Sequence, residues 1–350
     1  MATKMEEILN IQTPVKYDNS LAHYEIHAHQ PYVSSAFNNS DQIRIAVQHQ
    51  DLYILPSKST LHVQGRLTKT DNTDVTNTKL FSNGICYLFS DIRYELNGVE
   101  IDRCKNVGLT TTMKSLISQT PNQMIYAENA GYIDSDDASR VTNDHGYFDV
   151  NVPLNMILGY AEDYRKIVVN ANNKLILTRS RTDLNAIVNI QGLEREEFKI
   201  VINKVEWMIP YLFVGDRQKI ELLKFTEKDS PITMSFRSWD LYEYPMIPAT
   251  QKHVWTVKTS TQIEKPRYVI LGLQTNRKEN RQNIPFKSMH HWLLSIVQKQ
   301  NEFLKQASVD VRLEFEASDN FPANTAAYCL IIHDRIIQYT PISGIVKKVS

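Results

Sequence analysis

The residues with the most chemical promise are three histidines on one side of a strand-like run, His23, His27 and His29. On an extended strand, side chains two apart leave the same face, so His27 and His29 present two imidazoles to one ion. A metal strand of this kind normally adds a carboxylate a few residues on and framing glycines, whereas here Pro31, Tyr32, Val33, Ser34 and Ser35 follow. Surface histidines with a structural role are the better reading, and a His-metal β-barrel enzyme is the remote alternative. His290 and His291 are adjacent and point to opposite sides of any strand. Asp134, Asp136, Asp137 and Asp144 offer hard oxygen ligands suited to calcium, but the spacing of a calcium loop and its terminal Glu are missing. They read as a solvated acidic loop, and Glu194–Glu197 as a charged connector.

Flat aromatic rings stack on sugars, and the chain has 4 Trp and 17 Tyr. Trp207, Trp239 and Trp255 lie in apolar strand-like runs, which places them in a core; Trp292 begins a run with helical spacing. No nucleophile elbow, zinc-protease helix, Cys-x-x-Cys pair, phosphate loop or dinucleotide fingerprint occurs, and 11 glycines leave little room for a glycine-rich cradle. No catalytic, cofactor-binding or metal-ligating residue is therefore assigned, and the expectation is a protein that is not an enzyme.

Lys+Arg and Asp+Glu both number 39, so the formal charge is zero and no general attraction to nucleic acid is expected. No long apolar run spans a membrane, and the first residues lack the apolar segment of a secretory signal. Three scattered cysteines, Cys86, Cys104 and Cys329, read as reduced, mostly buried thiols. The expected location is intracellular, not secreted, so the Asn38–Ser40 glycosylation pattern counts as chance.

The elements that would carry these residues are short strands. Tyr24–His29, Ile43–Val47, Leu61–Leu67, Ile85–Phe89, Ile92–Leu96 and Val99–Ile101 follow one another, with Asn97-Gly98 as a hairpin turn because both residues accept positive φ. Leu109, Met113, Leu116 and Ile117 mark one helical face within Val107–Ser118, and a short helix is expected near Leu154–Tyr160. Strands resume at Tyr147–Val152 and Lys174–Thr178. Beyond a polar junction at Thr182–Glu197 come Lys199–Ile202, Val205–Ile209, Ile232–Phe236, Val254–Val257 and Tyr268–Leu271. Pro245 and Pro248 mark a turn. Trp292–Leu304 is compatible with a helix. Near the C-terminus Val309–Ala317 alternates apolar and charged residues, a half-buried strand, and Tyr328–Ile332 is apolar throughout, a strand covered on both sides. The two read as a closing hairpin.

Many short strands with few helices indicate an all-β chain of tandem antiparallel sandwiches. The division is an N-terminal arm at 1–20, a first sandwich at 21–190 and a second at 195–350. No internal repeat is legible by eye.

Several segments in this order resemble the double jelly-roll capsid-like proteins of Polinton (Maverick) elements and related viral insertions in arthropod genomes. They are Leu80–Ile85, Tyr94–Asp102, Lys174–Ser180, Val205–Pro210, Phe236–Tyr242, Lys265–Ile270 and Asp310–Asp334. The resemblance implies two eight-stranded jelly rolls and homotrimers that tile as pseudo-hexameric capsomers of an icosahedral shell. It also implies neighbouring capsomers, and a minor capsid or penton protein, as partners. The chain departs from the pattern between Thr275 and Ser308, where it is shorter. That departure fits a decayed or domesticated genomic copy, or a mispredicted splice. A host-adopted jelly-roll module binding a glycan or protein is the alternative.

Overall fold

The computed structural model describes residues 21–32, 37–47, 53–132, 141–189, 196–257, 266–275, 295–297 and 311–349. Its N-terminal part contains β1 (Leu21–His29), β2 (Gln42–Val47), β3 (Tyr53–Ile54), β4 (Thr60–Lys69), β5 (Thr78–Leu80) and β6 (Phe89–Leu96). There follow β7 (Val99–Lys105), β8 (Tyr147–Pro153), β9 (Asn173–Arg179), β10 (Ile187–Asn189) and β11 (Phe198–Val214). Alternation decides which face each strand buries. In β4, Leu61, Val63 and Leu67 are buried while His62, Gln64 and Arg66 turn outward; β8 alternates in the same way.

Two sheets result. One has the order β1-β11-β4-β8, with β3 also paired to β11; the other is β2-β9-β6-β7. The chain passes back and forth between them, so β1, β4, β8 and β11 lie in one and β2, β6, β7 and β9 in the other. This is the path of a jelly roll. Tyr94 of β6 meets Trp207 of β11 edge-on at 5.7 Å, filling the space between the sheets.

The C-terminal part repeats the plan. It contains β12 (Ile232–Tyr244), β13 (Lys252–Val257), β14 (Pro266–Thr275), β15 (Ser295–Val297), β16 (Val311–Glu316), β17 (Thr325–Tyr339) and β18 (Val346–Val349). The order β12-β17-β14-β15 reproduces β1-β11-β4-β8, and the pair β13-β16 reproduces β2-β9. Among the described residues no strands correspond to β6 and β7. The helix Asp216–Thr226, with no buried residue, joins the halves. All antiparallel and mostly strand, the chain is a double jelly roll.

Most expected strands are present, and the hairpin turn has Asn97 at φ 48° and Gly98 at φ 80°. Five expectations need correction. Ile85–Phe89 does not form one strand: Gly84–Tyr87 is a helical turn, and β6 starts at Phe89. Its entry is held by Asn83, at φ 61°, whose amide donates to Gly108 O and to the Thr111 and Thr112 hydroxyls. A short apolar run does not by itself distinguish strand from buried helix.

The helix Val107–Ser118 has the expected bounds but a different buried side. Leu109 and Met113 are buried, whereas Leu116 is 36% exposed and Thr111, Thr112 and Ser115 lie inside. Their hydroxyls donate to the Val107, Gly108 and Thr112 carbonyls, which makes them acceptable in a core.

Lys199–Ile202 and Val205–Ile209 belong to one strand, β11, interrupted only by a register shift between Ile202 and Lys204. Within Trp292–Leu304, the described residues Ser295–Val297 are strand paired to β14 rather than helix; the rest of that segment lies outside the described residues.

The C-terminal strands are not a hairpin. β16 pairs with β13, while β17 lies between β12 and β14, so the loop between them crosses from one sheet to the other. Their surface patterns are as expected: Leu313 is buried between exposed Arg312 and Glu314, and Thr325–His333 is buried throughout. Elsewhere, a short 3-10 turn at Leu154–Met156 and a helix at Gly159–Asp163 occupy the expected helical region. Within the polar junction, β10 pairs with β5, and 190–195 lie outside the described residues.

Gly65 sits where a Cβ would come 2.4 Å from the Phe148 ring and 2.5 Å from the Val201 carbonyl. Gly65→Ala is expected to lower the free energy of unfolding by about 1–3 kcal/mol in urea titration; an unchanged midpoint would contradict this packing.

Candidate functional site at the seam of the two sandwiches

Each jelly roll has an edge strand facing the other, and an edge strand carries backbone groups without a sheet partner. In the first roll that strand is β7; in the second it is β12. Side chains from the opposite roll cap both. Arg335 of β17 donates from Nη1 to the Ile101 carbonyl of β7 at 2.9 Å. Asp163, at the end of the Gly159–Asp163 helix, accepts the Arg237 backbone N–H of β12 at 2.8 Å. The Arg237 guanidinium closes on the same carboxylate with bonds of 2.8 and 2.6 Å. Bonding to Asp163 outweighs the effect of burial and holds the Arg237 guanidinium above its usual range. Burial works to raise the Asp163 pKa, but its bonds to Arg237 prevail and lower it.

Asp102 of β7 lies at the centre and is 1% exposed. Its Oδ1 accepts from the Ser238 hydroxyl of β12 at 2.6 Å and from the Arg103 N–H at 3.0 Å. Its Oδ2 accepts from the Tyr160 N–H at 2.8 Å, and Arg335 stands 3.9 Å away. Burial raises the Asp102 pKa, with Arg335, Ser238 and the two N–H groups pulling the other way. One carboxylate thus ties β7, the Gly159–Asp163 helix and β12 together. Gly159 makes that closeness possible, because a Cβ there would lie 1.6 Å from the Arg237 carbonyl.

Apolar packing surrounds the polar centre. Tyr160 meets Phe236 edge-on at 5.3 Å and Tyr94 at 4.9 Å. Lys114 lies 4.8 Å over the Trp239 ring and pairs with Glu162 at 2.9 Å. A second line of contact runs along the ends of the sheets, where Asn97 donates to Gly344 O, Asn170 to Pro341 O and Tyr339 to Asn170 O. One hydrophobic cluster contains Trp207 of the first roll and Trp239 of the second, so the core is continuous across the seam.

A separate charged group occupies the outer face of the first sheet. His62 lies between Asp149, at 2.7 Å, and Glu206, at 3.0 Å. Burial tends to raise the Glu206 pKa, but bonds from Gln30, Lys204 and His62 bring it down to about 2. Glu196, from the charged connector, is likewise held at about 2, its burial outweighed by bonds from Thr76, Asn77 and Lys69.

Of the residues singled out from the sequence, the three histidines of β1 share neighbours, His23 and His27 flanking Glu25 and His27 and His29 flanking Tyr211. His23 stacks on Phe213, His27 bonds Glu25 at 3.0 Å, and His29 bonds the Tyr211 hydroxyl at 2.9 Å. Among the described residues, no group of three His, Cys, Asp or Glu side chains is arranged to hold a metal. Asp144 is exposed; Asp134, Asp136, Asp137, His290, His291 and Trp292 lie outside the described residues. Trp207 and Trp239 are core residues, and Trp255 is half-buried beside Tyr244. Cys86, Cys104 and Cys329 are buried free thiols. No helix among the described residues is long and apolar enough to cross a membrane.

Sequence reasoning did not single out the seam residues. Asp102 follows Ile101 in an alternating run, which is the pattern of a side chain facing water, but Tyr160 of the first roll and Ser238 and Arg335 of the second enclose it. The one available signal was a Gly-Tyr pair, Gly159-Tyr160, opening a short helix shortly after β8 and a 3-10 turn.

Solved structures of viral capsid proteins share this fold. The Faustovirus major capsid protein aligns with a TM-score of 0.59 and 9% identity over 96% of this chain and 94% of that one. The PBCV-1 virus capsid gives 0.54 and 12% over 97% and 99%. The mavirus major capsid protein gives 0.53 and 12% over 97% and 92%. At such identity the likeness is one of fold. Residues 78–289 and 283–337 match the double jelly roll-like domain, and the chain belongs to that family. No curated protein matches it.

Asp102→Ala leaves Ser238, Arg335 and the Tyr160 N–H facing a buried gap. The expected loss is about 3–5 kcal/mol in urea denaturation followed by tryptophan fluorescence; a loss below about 1 kcal/mol would remove Asp102 from its central role. The carboxylates also set a pH dependence. Glu206 and Glu196 have folded values below their ordinary 4.5, so their contribution is present above that pH and is lost as pH falls toward about 2. Thermal melts should show Glu206→Gln flattening the acid limb, whereas Asp102, being raised, contributes in the opposite sense as pH rises above 3.8.

Proposed function

We propose that this chain is a non-enzymatic capsid protein of the major type. In this reading it self-associates into homotrimers with a pseudo-hexameric outline, and these tile an icosahedral shell. The observation that carries the reading is the seam. Mutual capping of two sheet edges over one continuous core makes two similar rolls a single stiff body, and three such bodies present six similar wedges around an axis. Apolar side chains remain on the outside for neighbours to cover: Tyr24 is 66% and Ile26 58% exposed on β1, and Met246 65% and Val254 51% in the second roll. Pseudo-sixfold units do not fit fivefold vertices, so a minor capsid or penton protein is the further partner. The site of action is the host-cell interior and the particle.

The first roll in this reading spans 21–214, since β11 hydrogen-bonds to β4, and the second 232–349. Among the described residues the second has no counterparts of β6 and β7. Between β4 and β8 the first roll has residues 70–146, which hold β6 and β7; between β14 and β15 there are only residues 276–294. The family match also divides in this stretch, at 283–289. Reduction there supports a Polinton/Maverick-type insertion that has decayed or been domesticated.

Size-exclusion chromatography with light scattering is expected to give three times the chain mass, and electron microscopy a three-lobed particle. A strict monomer at tens of micromolar would overturn the proposal. Ile26→Asp should shift the trimer toward monomer at least tenfold while leaving the far-ultraviolet spectrum unchanged.

A further inference from the structure

Two adjoining clefts open beside the seam. The larger, of about 410 Å³, lies between the helix Val107–Ser118 and the segment around residues 153–165. The smaller, of about 220 Å³, lies between the same helix and the second roll. Lys114, Ser118 and Glu162 line both, so the two form one groove with ends of different character. Together they fall in the size range of small-ligand sites.

The larger end is cationic: Lys58, Lys114 and Arg165 face a single carboxylate, Glu162. That carboxylate is already engaged by Lys114 at 2.9 Å, and Lys114 is fixed by its place over Trp239. Arg165 uses only Nε, donating to the Glu162 carbonyl at 3.2 Å. Among the described residues its terminal nitrogens, and the Lys58 ammonium, have no partner. Two uncommitted cations beside a third that is held in place match a doubly charged anion better than a singly charged one, and the guanidinium fork suits phosphate oxygens. The smaller end is mostly apolar, with Ile117, Tyr268, Ile270 and Ile332 along its walls beside Arg237, whose guanidinium is held by Asp163.

We propose that this groove binds a phosphate monoester carrying a small apolar or aromatic group. The phosphate lies among Lys58, Lys114 and Arg165, and the apolar group lies against Tyr268 and Ile270. Because the walls come from both rolls, the bound ligand bridges the seam and raises the melting temperature of the whole chain.

Isothermal titration calorimetry of the full chain with phenyl phosphate, inorganic phosphate and benzoate tests this. Phenyl phosphate is expected to bind once per chain, about tenfold tighter than inorganic phosphate, which lacks the ring, and than benzoate, which has one charge. Lys58→Ala with Arg165→Ala, both at exposed positions, should weaken phenyl phosphate more than tenfold with an unchanged circular dichroism spectrum. Tyr268→Ala should bring phenyl phosphate to the level of inorganic phosphate. Equal affinity for phenyl and inorganic phosphate, or phenyl phosphate binding untouched by loss of Lys58 and Arg165, would overturn the proposal.

Discussion

An exposed sheet edge is a row of unpaired donors and acceptors, and the arrangement of this protein follows from how two such edges are closed. β7 and β12 do not extend each other as a continuous ladder. Instead Arg335 satisfies a carbonyl of β7, and Asp163 an N–H of β12. Side-chain caps have a fixed reach, so they set both the distance and the angle between the rolls. Asp102 then joins the two edges through Ser238 and the Tyr160 N–H, and Gly159 lets the backbones come close enough for this to happen. Burying a carboxylate so completely is costly: its partners reduce that cost without cancelling it, since burial still raises the Asp102 pKa, and a missing partner would increase it. The seam is therefore specific as well as tight.

A rigid seam suits a wall. A protein that tiles a shell must present its outer faces at constant angles, and a hinge between the rolls would spread that error over every neighbour. Continuity of the core from Trp207 to Trp239 removes the hinge. The linker helix Asp216–Thr226 contributes little to this, having no buried residue. Position is set by packing, not by the connection. The second roll builds the sheet that faces the first, β12-β17-β14-β15, in the same order as β1-β11-β4-β8, and among the described residues only β6 and β7 of the opposite sheet have no counterpart in it.

Legibility in the sequence varied with the distance of the partners. Asn97-Gly98 announced its turn because the constraint is local to two residues. β4 and β8 announced themselves through alternation, since one face meets a core and the other water. Alternation is silent about Asp102, a polar position whose burial depends on Tyr160, Ser238 and Arg335, 58 residues away and more. Ile85–Phe89 misled because a wholly apolar run records burial without conformation, and Asn83 then chose the helical turn through contacts to Gly108, Thr111 and Thr112. The end of the chain shows both outcomes. Val311–Glu316 and Tyr328–Ile332 are strands with the expected faces, yet they lie in different sheets, a matter of pairing that periodicity does not encode.

From residue order alone came the class of the chain: many short antiparallel strands in two sandwiches, one long helix in the first, no catalytic motif and no net charge, with the jelly-roll form implied by a family resemblance. The strands and turns follow from side-chain periodicity and turn chemistry, which act over a few residues. Tertiary structure alone decided that the second roll follows the strand order of the first and that two edges close on each other through Asp102, Asp163, Arg237 and Arg335. It also decided that cations scattered from Lys58 to Arg165 gather beside one groove. Those relations join residues far apart in the chain, and only the folded distance between them gives them energy.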